Sequence, residues 1–211
     1  MAIMASLKSP VGAAARALLI FILFFAVTLA PARAAVTITF WSQEFGSNFP
    51  HAFFTLNGTP DAGGPPVNTS YGFTLKRISP AALFGNVPGD VHVTKQDYID
   101  KSNAHFSVVL TDAQYAAVLR LVEEWGPRGN STYNLNRRNC VHFVAEAMRR
   151  SGLTVVEAKK LMKKPRSFTQ SIEAMNAPRV TRLEMPAERY YATLGLPKTS
   201  AAPVGATVLA R

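Results

Sequence analysis

Two hydrophobic periods run along this chain, and they occupy different parts of it. Residues 36–41 alternate apolar and polar side chains, as a strand with one buried face does. Residues 51–56 form a short aromatic and β-branched run that stops at Asn57-Gly58, and further strands are predicted over 69–75, 91–94 and 105–110. The segments 59–68 and 78–89 read as loops from their glycines and prolines. From Thr111 the period becomes that of a helix. Thr111 and Gln114 form a capping-box pattern, Tyr115, Val118, Leu119 and Val122 share a face, and Gly126-Pro127 stops it. Asn139 caps a second helix whose stripe is Cys140, Phe143, Val144 and Ala147, ending at Ser151-Gly152. A third, short helix is predicted after Ser167, carrying Phe168, Ile172 and Met175 before Asn176. Strands followed by helices predict an α+β domain over residues 35–176, an antiparallel sheet packed against a few helices. No sustained period follows Pro178, so residues 177–211 read as a poorly ordered basic tail.

The first 34 residues follow another logic. Lys8 and Arg16 precede an apolar run over 18–30 that is 13 residues long, short of the ~20 a spanning helix needs, and Ala32-Arg33-Ala34 follows it. This predicts a signal peptide over 1–34, cleaved before Ala35, and a periplasmic or secreted product; the alternative is a chain anchored in the membrane by residues 18–30. Past Ala34 there are 20 basic and 13 acidic side chains, and 14 of the basic ones lie beyond residue 136. The densest stretch, Lys159-Lys160-Leu161-Met162-Lys163-Lys164-Pro165-Arg166, suits an anionic envelope surface. It has no interleaved aromatics, so nucleic acid is not an expected partner.

Export changes the meaning of Cys140, the sole cysteine. In an oxidising compartment it cannot staple its own chain, so it is either an inert buried thiol or a reactive one. Its place in the first turn of a helix favours reactivity, because free N–H groups and the positive dipole end stabilise a thiolate. A nucleophile also needs a base, and the candidates are His51, His92, His105 and His142. His142 projects about 200° around the helix from Cys140, which suits packing or hydrogen bonding instead. His51, at the mouth of a strand after Phe49-Pro50, is the preferred base, with His105 and His92 as alternatives. The histidines show no metal-ligand spacing and no glycine-rich phosphate loop follows a strand, so neither a metal nor a cofactor is expected.

Asn139-Cys140-Val141-His142-Phe143-Val144 resembles the Asn-Cys-x-His-Phe-Val box of lecithin retinol acyltransferase relatives, the circularly permuted branch of the papain-like NlpC superfamily. In that branch the histidine strand precedes the cysteine helix, as His51 precedes Cys140. The segment from His51 to Gly58 with Ser70-Tyr71-Gly72-Phe73 resembles the histidine hairpin of bacterial exported members, and Tyr133-Asn134-Leu135 resembles their lead-in to the cysteine. The resemblance covers residues 36–176 and implies a permuted papain-like fold, with Cys140 as nucleophile, His51 as base and a third polar group on the neighbouring strand. In the acyltransferase branch that group is a second histidine; here the strand offers Asn68, Ser70 or Tyr71, and Tyr71 is taken as the third member with Ser70 next. The expected chemistry is thioester-mediated cleavage of an amide or ester acyl bond in a peptide, cell-wall or lipid substrate. The alternatives are a papain-like binding module without turnover and a membrane-tethered structural protein with a packing cysteine.

Overall fold

The computed structural model describes residues 35–44 and 49–194, so the predicted leader lies outside the described residues. One antiparallel sheet contains β1 (Val36–Gln43), β2 (His51–Gly58), β3 (Val67–Leu75), β4 (Val87–His92), β5 (Asn103–Leu110), β6 (Thr132–Tyr133) and β7 (Thr181–Pro186). Their spatial order is β6-β4-β3-β2-β1-β5-β7. The α-helices are α1 (Gln96–Ile99), α2 (Asp112–Trp125), α3 (Cys140–Arg150), α4 (Pro165–Met175) and α5 (Ala187–Leu194). The fold is α+β, as the hydropathy pattern predicts.

β1 lies inside the sheet, and its alternation is partitioned between two cores. Ile38 and Phe40 join Ala52, Phe54 and Leu56 of β2 under α2, α3 and α4, where Val118, Leu121, Phe143, Val144, Phe168 and Ile172 fill the space. Each such side chain contributes about 1.5–3 kcal/mol when fully buried. On the opposite face Trp41 and Phe53 stack at 5.9 Å beneath Tyr190 and Tyr191 of α5. Thr39 Oγ1 and Tyr190 Oη are 2.7 Å apart, and the Trp41 Nε1–H donates to Thr55 Oγ1 at 3.0 Å, so burying these four polar side chains leaves their hydrogen bonds intact. α2 begins with a capping box: Thr111 Oγ1 accepts from the Gln114 N–H, and Gln114 Oε1 accepts from the Thr111 N–H.

Three expectations need correction. Residues 181–194 are not a loose tail: β7 pairs with β5, and α5 covers the second core through Ala187, Tyr190 and Tyr191. The division into a strand-rich first part and a helical second part is likewise incomplete, since β6 and β7 both follow α2. Finally, β4 begins inside the predicted 78–89 loop. It tolerates Pro88 next to the two-residue β6, and it requires Gly89, where a β-carbon would stand 2.6 Å from the Phe73 ring and 2.7 Å from the Ser131 carbonyl oxygen. Residues 195–211 lie outside the described residues.

Candidate active site

Asn139 decides where α3 starts. Its Oδ1 accepts from the N–H of Val141 at 2.8 Å and of His142 at 3.2 Å, while its Nδ2 donates to the carbonyls of Leu135 at 2.9 Å and Met162 at 2.8 Å. One side chain thereby caps the helix and ties it to the segments before and after it. His142 completes the capping box, its Nδ1 accepting from the Asn139 N–H at 3.3 Å. Its imidazole is committed to the cap.

Cys140 follows directly, buried, with its sulfur receiving hydrogen bonds from the N–H groups of Ala52, Val141 and Cys140 itself. Ala52 is the residue after His51, so the thiol sits against the first residues of β2. Tyr98 and Tyr133 flank it. Burial, with the charge that Cys140 would carry as a second cause, pushes both phenols above their ordinary value. The expectation of an ionised sulfur is reversed: burial pushes the thiol up to about 11, and the three backbone donors only partly oppose it. The magnitudes explain this outcome, because a helix terminus is worth about 0.3–1 kcal/mol to a charge, whereas the effective cost of burying an ion is several kcal/mol.

His51 opens β2 on the face opposite Ala52, the side of Phe53. Its ring stacks on Phe53 at 6.2 Å and on His92 at 6.0 Å, and meets Tyr98 edge-on at 5.9 Å. Burial, then the neighbouring His92, lowers its pKa well below the ordinary 6.5. Burial also lowers His92, against opposition from Asp90. Tyr98 is the shared neighbour of the thiol and the imidazole. Across the strand pair, Gln43 stands opposite His51, and its Oε1 is buried without a hydrogen-bond partner, as is the His51 Nε2.

Tyr71 lies elsewhere. It alternates with Gly72 on β3, packs against Phe54 at 5.9 Å on the helix-covered face, and is hydrogen-bonded to the Thr69 side chain. Ser70 turns to the loop after β4: its hydroxyl accepts from the Thr94 N–H at 3.0 Å and donates to the Thr94 carbonyl at 3.2 Å. Asn68 Oδ1 accepts from Asn57 Nδ2 at 2.8 Å. The groups beside the imidazole are instead His92 and Thr94, neither of which was singled out for that place. The readable signal was Gly72, a glycine inside a strand, which marks a close approach by a neighbour. A β-carbon there would stand 2.6 Å from His51 Nε2 and 3.3 Å from Thr94 Oγ1.

His105, the other strand histidine, belongs to a different network. It is the extra residue of a bulge between β1 and β5, fully buried, with Nε2 2.7 Å from Ser42 Oγ and Nδ1 2.7 Å from Glu184 Oε1. Glu184, at φ 43°, is the one non-glycine residue with positive φ among the described residues, and its Oε2 accepts from Gln170 Nε2 at 3.0 Å. Burial lowers His105 despite Glu184. Burial would raise Glu184, but its bonds to His105 and Gln170 bring it below its ordinary value. The consistent assignment is a neutral imidazole whose Nδ1–H donates to the carboxylate and whose Nε2 accepts from the Ser42 hydroxyl. These roles copy those of a serine triad, yet Ser42 and His105 are both 0% exposed, leaving no room for a substrate carbonyl beside the hydroxyl.

Among the described residues no three His, Cys, Asp or Glu side chains gather into a metal-holding group, and no helix is long and apolar enough to cross a membrane. No family model, curated protein or solved structure matches the chain.

Proposed function

We propose that this chain is an exported Cys/His thiol hydrolase or acyltransferase of the permuted papain-like kind, cleaving an amide or ester through a thioester on Cys140. One observation carries the proposal: the sulfur is held in the first turn of α3 by N–H groups, including that of Ala52, next in the chain to His51. With the thiol raised and the imidazole lowered, the resting pair is neutral, so His51 acts as general base during attack and not as a standing imidazolium. The Cys140 proton passes to His51 as the sulfur bonds to the acyl carbon. The carbonyl electron pair moves to oxygen, where the N–H of Cys140, which Asn139 does not engage, stabilises it. Collapse expels the leaving alcohol or amine, which takes the proton from His51, and water or another acceptor then releases the acyl group. Peptide, cell-wall and lipid acyl bonds all remain within this chemistry. The leader over 1–34 directs the protein to the periplasm or exterior, and the basic stretch at 159–166 contacts the anionic envelope.

A second reading, a binding module without turnover, is favoured by the same raised thiol. Hydrolysis of a panel of p-nitrophenyl esters and peptide amides separates the two. The enzyme is expected to lose about 100-fold or more in rate on Cys140→Ala and on His51→Gln. Absence of hydrolysis by the wild-type protein, with ligand binding that survives Cys140→Ala, would select the module.

A further inference from the structure

On the far side of the imidazole from solvent, two buried polar atoms face the same gap and neither has a partner. They are His51 Nε2 and Thr94 Oγ1, and both lie within 3.3 Å of the point where a Gly72 β-carbon would stand. An unpaired buried donor or acceptor costs about 1–3 kcal/mol, so two of them across one gap call for a common explanation. Thr94 is 3% exposed and its backbone is clamped in both directions by Ser70, which fixes the main chain that carries its hydroxyl. His92 stacks on the imidazole and limits its rotation about β2. Gly72 keeps the gap clear.

We infer that Thr94 is the residue that orients His51. The inference rests on the thiol-hydrolase reading and assigns a positioning role within it. In the resting site the His51 Nε2–H is directed at Thr94 Oγ1 without closing a hydrogen bond, which substrate then tightens, and the lone pair is left on Nδ1 to receive the Cys140 proton. Without that acceptor the imidazole is free to take the other tautomer, with its proton on the nitrogen that must act as base. Hydrogen bonds of this kind are commonly long before substrate binds and tighten in the complex. Ser70 serves at one remove, by holding Thr94, and Tyr71 takes no part.

The test uses the full chain and needs no natural substrate. Nitrogen-15 and carbon-13 spectra of the native protein report the His51 tautomer directly: protonation at Nε2 is expected, and protonation at Nδ1 would overturn the inference without any variant. Iodoacetamide alkylation of Cys140 across the pH range gives the second readout. Thr94→Val is expected to slow it about tenfold at neutral pH and move His51 toward the Nδ1–H tautomer, while Thr94→Ser restores both to about wild type. Equal loss in the valine and serine variants, or no loss in either, would assign the effect to packing and refute the role. His51→Gln separates this outcome from failure of the parent reading. If it leaves alkylation unchanged, the Cys/His pair itself is wrong; if it slows alkylation while Thr94→Val does not, only the Thr94 assignment falls.

Discussion

Two histidines of this sheet differ in what surrounds their nitrogens. His105 has both ring nitrogens paired, to Ser42 and Glu184, and sits at 0% exposure on a bulge that knits β1, β5 and β7 together. His51 leaves Nε2 unpaired, keeps partial exposure, and shares Tyr98 with the only thiol. A satisfied network of the first kind rigidifies and specifies the fold, whereas an incomplete one persists where a ligand or reaction completes it. The more triad-like geometry is therefore the structural one. The looser geometry is the one we propose as the site.

The largest expected effect follows from breaking the satisfied network. His105→Ala leaves the half-buried Glu184 carboxylate without its imidazole and the Ser42 hydroxyl without its acceptor, and opens a cavity, so chemical denaturation is expected to show a loss of about 3 kcal/mol or more. Below the unfolding transition, Cys140 alkylation should stay within about twofold of wild type, since alkylation follows the local thiol environment and not global stability. His51→Asn is expected to reverse the pattern: about 1 kcal/mol or less in stability, because no Nε2 hydrogen bond is lost, against a large fall in Cys140 reactivity. Equal stability losses at the two positions would erase the distinction.

Acid sharpens the same comparison. His51, His92, His105 and His142 all have native pKa values below the ordinary 6.5, so the unfolded chain binds protons more readily than the native one. Their contribution is present in full above the unfolded pKa and declines as pH falls through and below it; Glu184, also lowered, acts in the same direction at lower pH. Unfolding free energy measured by urea titration should therefore fall between about pH 7 and 5. His105→Asn should flatten that slope, and an unchanged slope would mean that His105 does not couple protonation to folding. Smaller effects come from single hydroxyls. Ser42→Ala is expected to cost about 1 kcal/mol, and Tyr71→Phe about 0.5–1 kcal/mol, both read by thermal unfolding and both without effect on thiol alkylation.

Much of this was legible in the sequence where one local signal suffices. The alternation in β1, the Thr111–Gln114 capping box and the Asn139 cap each predict an element that the chain forms, because their physics is contained within a few residues. The placing of Cys140 in the first turn of α3 came from the same kind of signal. What was missed depends on distant partners. α5 has a stripe of only Ala187, Tyr190 and Tyr191 within eight residues, too short a period to stand out along the chain, and it is held by docking on Trp41. β7 pairs with a bulged edge, where Glu184 adopts a conformation no propensity scale favours. Thr94 stands across the Gly72 gap from the imidazole only because β4 lies beside β3 there, a register that no spacing along the chain reveals. The thiol's ionisation was misjudged for a similar reason: the helix terminus is visible in sequence, but the burial that outweighs it belongs to the assembled core.

The most direct measurement is to treat the folded protein with an activated ester and locate the acyl group by peptide mass spectrometry. A transient adduct on Cys140 that forms at neutral pH, is lost on His51→Gln and persists in Ser42→Ala is the result expected. An adduct on Ser42, or a Cys140 that acylates only at the alkaline pH where its buried thiol ionises unaided, would contradict the account.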